Sequence, residues 1–321
     1  MQRRLFLQSA GLLSLGTAGL RGESQAVADS HPVRILVPFA AGGPSDQVAR
    51  SLAQALSGAS GRTVLVENRP GADGIVAARA ALGAPHDGAT LLYAPSSLVG
   101  VGQLAKPPLD LASDFTAVSG IGHLAFAMFT TAQLPVQSVA EFVELARSHP
   151  GQLNFATSTG SELMAAHQFM RATGIRMERV PYKGASQALP DLLEGRVQVM
   201  FGPVSAGLPH VDQGKLKLLA TLLPSRSPLA PQTPTIAEAG YASVRVPTWQ
   251  ALFAPGTPGL QVVQTLAQQC AVALSKPELR AEFESRALLV EALGPKDMHA
   301  VASSDRGLWA QLIREYHLEA S

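Results

Sequence analysis

The sequence predicts an α/β protein of two lobes joined by two crossings of the chain. Short apolar runs rich in Val, Ile and Leu alternate with longer stretches of helical periodicity. The 321 residues exceed what one small sheet requires and correspond to about two ordinary domains. Pro and Gly punctuate the chain at two separated places, near "AQLPVQSVAEF" and near "VPTWQALFAPGTPG", so the middle of the chain makes one lobe and the flanking parts the other. The expected division is 29–128 with 254–321 as lobe one and 129–253 as lobe two.

Residues 1–28 read as a targeting segment: Arg3 and Arg4 precede the modestly apolar run "LFLQSAGLLSLGTAGL", and Ala26, Val27 and Ala28 form a small-residue cleavage site. "RRLFLQ" resembles a twin-arginine export signal, and a short n-region with two arginines also serves the Sec route. The run is short for a membrane span and is interrupted by Gly and Ser, which favours cleavage after Ala28 over an N-terminal anchor. Cleavage removes three cations and Glu23, and takes the formal charge from +1 to −1. The expected mature protein is soluble, exported and monomeric.

Beyond the leader, "VRILVPF", "TVLVEN", "TLLYA", "AFAMFTT", "LNFATS", "VQVMFG", "LKLLATLL" and "ALFAPG" are the candidate strands. Ser45 or Asp46 can cap a helix that carries Val48, Leu52 and Leu56 on one face, and "SVAEFVELARSH" begins with Ser138 and Glu141 at capping-box spacing. Such alternation favours mainly parallel sheets covered by helices on both faces. After Pro258 the chain is mostly helical, with Leu260, Val263, Leu266 and Cys270 on one face and a last helix around Trp309 and Ile313.

Composition excludes several functions. Lys and Arg number 25 against 24 Asp and Glu, without the basic excess of a nucleic-acid binder. The single cysteine, Cys270, excludes an intramolecular disulfide and a multi-thiolate zinc site. His31, His86, His123, His149, His167, His210, His299 and His317 are dispersed and contain no HExxH pair, so no metal site is expected. No GxSxG or other nucleophile signature is present, which argues against an enzyme. Asp73 in "RPGADG" and Asp87 in "HDG" read as turn residues, while Trp249 fits either a cleft wall or the core.

One internal echo carries chemistry: strand, "AAGGPSD", helix near the start, and strand "LNFA", "TSTGSE", helix in the middle. A helix N-terminus leaves backbone N–H groups unpaired and carries partial positive charge, and a Gly-rich turn lets an anion approach it. The Walker A pattern is absent, because Ser45, Asp46 and Gln47 follow Gly43 where Lys and Ser/Thr would be needed, and GxGxxG is absent too. A carboxylate needs fewer donors than a phosphate, and Ser96, Ser97, Ser158, Thr159 and Ser161 can add hydroxyls. Two such turns on one cleft suit a small carboxylic acid, a diacid included. Taken alone, "GGPSD" reads first as an ordinary strand-to-helix turn.

The stretches "ILVPFAAGGPSDQVAR", "VENRPGADG", "DGATLLYA", "NFATSTGS", "VPYKGASQALPDLLEGRVQVMF" and "TPTIAEAG" followed by "TWQALFAPGTP" resemble the substrate-binding proteins of tripartite tricarboxylate transporters, the Bug family abundant in Bordetella and its relatives. The resemblance spans nearly the whole mature chain. It implies a two-lobed periplasmic binding protein fold, type II-like, whose two α/β domains close over a small organic carboxylate about two hinge crossings, without catalysis or cofactor. It implies delivery to the permease subunits of a tripartite tricarboxylate-type transporter. Docking on a sensor kinase is the alternative with the same closed shape, and hydrolysis of a small ester or amide is the alternative from another class.

Carried over by position, the resemblance assigns one side of the ligand to the turn with Phe39, Ala40, Gly42, Gly43, Ser45 and Asp46, Phe39 being an apolar wall. Ser96 and Ser97 follow the strand "TLLYA"; Ser158, Thr159, Gly160 and Ser161 hold a carboxylate from lobe two; Gly202 and Val204 line the remaining side. Lys183 in "YKG" reads as a strand-end charge beside the site. Family members often carry Asp where this chain has Gly202, which disfavours an amino-acid ligand and leaves room for a bulkier carboxylate. Glu162, in the first turn of the lobe-two helix, is expected to point outward, away from a bound anion.

Overall fold

The computed structural model describes residues 32–182 and 185–316. The expected leader and cleavage site, together with Lys183 and Gly184, lie outside the described residues. The chain runs β1 (Val33–Val37), α1 (Pro44–Ser60), β2 (Val64–Asn68), α2 (Ile75–Leu82), β3 (Thr90–Pro95), α3 (Ser97–Leu104), α4 (Leu111–Asp114) and β4 (Phe115–Leu124). It continues through β5 (Phe126–Thr131), α5 (Val139–Ser148), β6 (Asn154–Thr157), α6 (Gly160–Thr173), β7 (Glu178–Pro181), α7 (Ala185–Leu193), β8 (Val199–Pro203), α8 (Val204–Asp212) and β9 (Leu216–Thr221). It ends with β10 (Trp249–Pro255), α9 (Leu260–Leu274), α10 (Pro277–Ser285), β11 (Leu288–Val290) and α11 (Pro295–Tyr316).

Two sheets form, in the orders β11-β4-β10-β3-β1-β2 and β7-β6-β8-β5-β9. Both are mixed rather than mainly parallel: β2-β1-β3 and β7-β6-β8 are parallel, whereas β10, β4 and β11, and β5 and β9, pair antiparallel. β5 and β10 run against their parallel neighbours because each crossing delivers the chain to a sheet from the same end at which the parallel strands finish.

Each sheet is buried on both faces. In lobe one, Val48, Leu52 and Leu56 of α1 pack with Cys270 and Phe283 over Ile35, Tyr93 and Leu252, while Trp309 and Leu312 of α11 cover Leu92, Ala251 and Phe253 on the other side. In lobe two, Phe169 is fully buried and stacks at 5.5 Å on Phe201, 5.7 Å on Tyr241 and 6.2 Å on Phe142. Leu260, expected on the buried face of its helix, is instead 72% exposed. It is the first residue of α9, where the helix has not yet reached the sheet.

The sheets exchange at Ala125, a single residue between β4 and β5, and again along 222–248 before β10. The first exchange falls before the expected boundary at 128, because Phe126, Ala127 and Met128 pair with Pro203, Gly202 and Phe201 of the second sheet. The second also falls earlier than expected, since Trp249–Phe253 pair with β4 and all but Trp249 also with β3. No helix of the described residues is long and apolar enough to cross a membrane.

Candidate ligand-binding site

The crossings determine where a site can form. β10 begins its pairing with β3 at Gln250 opposite Pro95, the end of β3, and β5 starts with Phe126 opposite Pro203 at the end of β8. The C-terminal ends of the parallel strands in both sheets therefore flank the crossings, the position at which open α/β sheets bind ligands.

On lobe one, Phe39, Ala40 and Gly42 are exposed, with Phe39 at 36%. Gly42 has φ +85°, a left-handed conformation that glycine adopts without penalty. Gly43 is the N-cap of α1 in extended geometry, so neither Ser45 nor Asp46 caps the helix. Asp46 instead folds back: its Oδ2 accepts from the Gly42 amide at 2.8 Å and from Arg50 Nε at 2.9 Å, and its Oδ1 accepts from Asn68 Nδ2 at 2.8 Å. Asn68 also donates to Phe39 O at 3.0 Å, which ties the turn to β2. Asp46 is buried and braces the turn from within, contrary to its expected place on the ligand. Burial alone would raise its carboxyl, but Arg50, Gly42 and Asn68 together hold it below the usual range. Ser45 turns inward as well, hydrogen-bonded to the buried Tyr93 phenol.

At the end of β3, Ser96 is buried with both donors used: its amide reaches Trp249 O at 2.9 Å and its hydroxyl Pro247 O at 2.8 Å. It stitches β3 to the second crossing, whereas Ser97 is half-buried at the start of α3.

On lobe two, Thr159 caps α6, and the sequence expectation for Glu162 is reversed. Glu162 is 2% exposed; its Oε2 accepts from the Ser158 amide, from Ser158 Oγ at 2.8 Å and from the Thr159 amide at 3.2 Å. Its own amide donates to Thr159 Oγ1 at 3.3 Å, completing a capping box. Burial pushes the Glu162 carboxyl above its ordinary value and outweighs the downward pull of the Ser158 and Thr159 donors. The inward turn follows from packing. Met164 of the same helix enters the lobe-one core, and a Cβ on Gly160 would stand 2.9 Å from the Trp309 ring, so the start of α6 is pressed against α11. Ser161 is buried in the same first turn.

Gly202 and Val204 lie at the end of β8, and the Val204 amide donates to Ala125 O at 2.8 Å across the first crossing. A Cβ on Gly202 would lie 3.2 Å from the Met200 methyl, so the room left by glycine is already edged by a soft thioether. Sequence reading missed Trp309, which bridges the lobes: its ring lies where a Cβ on Gly100 of α3 would sit, 2.2 Å away, and it also meets Gly160. The two glycines, 60 positions apart, gave no joint signal in the sequence.

A cavity of about 1050 Å³ lies elsewhere, lined by Gln168 and Arg171 of α6, Asp305 and Leu308 of α11, and the second crossing. Of the residues singled out from sequence as ligand or cleft candidates, Trp249 alone borders it, and its indole N–H donates to Asp305 Oδ2 at 2.6 Å. Burial pushes the Asp305 carboxyl up to about 6. Asp87 serves its turn as expected, accepting from the Ala89 amide at 2.8 Å.

The model of the tripartite tricarboxylate transporter family receptor matches residues 48–318. The chain belongs to this receptor family. It is 30% identical to Protein BugT of Bordetella pertussis over 307 residues, 94% of each chain. Among solved structures, a periplasmic transporter superposes with a TM-score of 0.78 at 28% identity, covering 91% of this chain and 99% of the other. R. palustris Rpa4515, solved with adipate, superposes with a TM-score of 0.76 at 29% identity, covering 88% and 96%. The receptor family and the two-lobed fold are those of periplasmic solute-binding proteins rather than enzymes.

Proposed function

We propose that this receptor captures a small organic carboxylate between its lobes in the periplasm and presents it to the permease subunits of a tripartite tricarboxylate-type transporter. The observation that carries the reading is that each sheet ends a parallel strand in a strand-turn-helix unit beside a crossing, and that the turn amides of each unit already donate to a carboxylate, Asp46 in one lobe and Glu162 in the other. These turns have the chemistry for an acid group, and Rpa4515, solved with adipate, supports the same ligand class. On lobe one the exposed Phe39, Ala40 and Gly42 meet the ligand while Asp46 and Asn68 fix their geometry; on lobe two the exposed Thr159 and half-buried Gly160 meet it, while Ser161, Gly202 and Val204, expected on the ligand, are buried and support the wall from behind. Closure turns about Ala125 and the 222–248 connection, with Trp309 as the packed pivot, so affinity comes from contacts made only in the closed state. Hydrolysis is disfavoured because the Ser158 hydroxyl donates to a carboxylate instead of to a histidine base.

The test is a thermal-shift screen of protein beginning at Asp29, unfolded and refolded to strip carried-over ligand, against mono-, di- and tricarboxylates, aromatic acids and amino acids, with calorimetry on each hit. A stoichiometric carboxylate hit that raises the melting temperature supports the reading. Refolded protein that binds no acid refutes it.

A further inference from the structure

The two turns carry the same internal device with different electrical outcomes. In each, a carboxylate four residues on folds back to the turn's amide: Asp46 to Gly42, Glu162 to Ser158. The Asp46 charge is met by Arg50 at 2.9 Å. Glu162 has no ion-pair partner among the described residues, and its Oε2 collects the Ser158 amide, the Ser158 hydroxyl and the Thr159 amide. Donors are spent in both turns, so the difference is one of charge: the internal acid of lobe one is neutralised, and that of lobe two is not.

We propose that Glu162 determines specificity by acting as a built-in carboxylate on the lobe-two turn, so that the receptor takes monocarboxylates, acid group toward the 39–43 turn, and rejects ligands that bring a second carboxylate to residues 158–161. The inference rests on the carboxylate-binding reading above. A second ligand carboxylate would find the Ser158 and Thr159 donors taken and a like charge beside it in a site shielded from water, where repulsion is weakly screened. A far end that is apolar or a hydrogen-bond donor meets no such penalty. The internal acid is a property of this chain's Glu162 and of its burial, since the same side chain turned to solvent would leave the turn open.

Refolded protein is titrated calorimetrically at neutral pH with matched pairs, hexanoate against adipate and butyrate against succinate. The expected result is tighter binding of the monoacid in at least one pair by about tenfold or more. Glu162→Gln, whose side-chain oxygen can still accept from Ser158 and Thr159, is expected to raise diacid affinity by about tenfold while leaving the monoacid within about threefold. Glu162→Asp keeps the charge and is expected to keep the preference, and denaturant unfolding of both variants checks that they fold. Diacids bound by wild type as tightly as their monoacids, or a ratio that Glu162→Gln leaves within about twofold, overturns the inference while leaving the carboxylate reading standing. Absence of binding to every acid by wild type and variants alike overturns both.

Discussion

Replacing Asp46 with Ala tests whether the lobe-one turn is held from inside. The carboxylate accepts from the Gly42 amide and Asn68 Nδ2, both at 2.8 Å, and from Arg50 at 2.9 Å. Hydrogen bonds to a charged group contribute about 1.5–3 kcal/mol each when shielded. The Arg50 side chain is 52% exposed, so its i,i+4 pair adds only about 0.3–0.5 kcal/mol. Water reaches the freed Gly42 amide and restores part of the loss, which leaves a destabilisation of about 3 kcal/mol. For a chain of this size that is a fall in melting temperature of about 5 °C. The pH dependence gives a second readout. The folded carboxyl lies below its unfolded value of about 3.9, so its stabilisation is complete above that pH and is lost as pH falls through the folded value. Urea unfolding of wild type and Asp46→Ala from neutral pH down to acid should give curves that converge at the acid end. A difference under about 0.5 kcal/mol at neutral pH, or one that does not shrink on acidification, would refute the bracing role.

Phe169→Ala, which empties the aromatic centre of lobe two, is expected to cost about 3–5 kcal/mol in denaturant unfolding. Asp305 works in the opposite sense to Asp46: its folded carboxyl is raised to about 6, so the stability that its neutral form contributes is complete below about pH 3.9 and is lost as pH rises through about 6. Asp305→Asn, which can still accept from the Trp249 indole, should flatten the pH profile between those values and stabilise the protein above pH 6. Cys270 is buried and its thiol is pushed up to about 12, so a thiol reagent should label native protein negligibly and denatured protein at one equivalent. Rapid native labelling would mean that α9 opens on the time scale of the assay.

Much of the fold was legible because its signals are local. The run from Arg34 through the Gly42 turn to Leu56 shows a strand, a positive-φ glycine and an amphipathic helix in sequence, and those three properties act within a few residues of one another. β4 was not legible. Its "FTAVSGIGHL" is interrupted by Gly120 and Gly122, which weaken a strand by propensity. They are nevertheless required: a Cβ on Gly122 would lie 2.2 Å from Leu289 O, and one on Gly120 would lie 2.9 Å from the Leu293 side chain. Close approach of β11 and the segment after it, a contact across more than 160 residues, decides that strand.

The site divides in the same way. That two Gly-containing turns precede helices with acids at matching positions, and that the surrounding motifs resemble one receptor family, is readable along the chain, because residue type and spacing are one-dimensional properties. Which way those acids face emerges from the packed fold. An acid in the first turn of a helix is equally at home in water and folded back on the backbone, and the choice depends on what covers it. Asp46 is drawn in by Asn68 from the neighbouring strand, and Glu162 is enclosed because Trp309, from the far end of the chain, presses α6 against lobe one. Those partners lie far away in sequence and adjacent in space, so the electrical character of each half of the cleft was decided by packing.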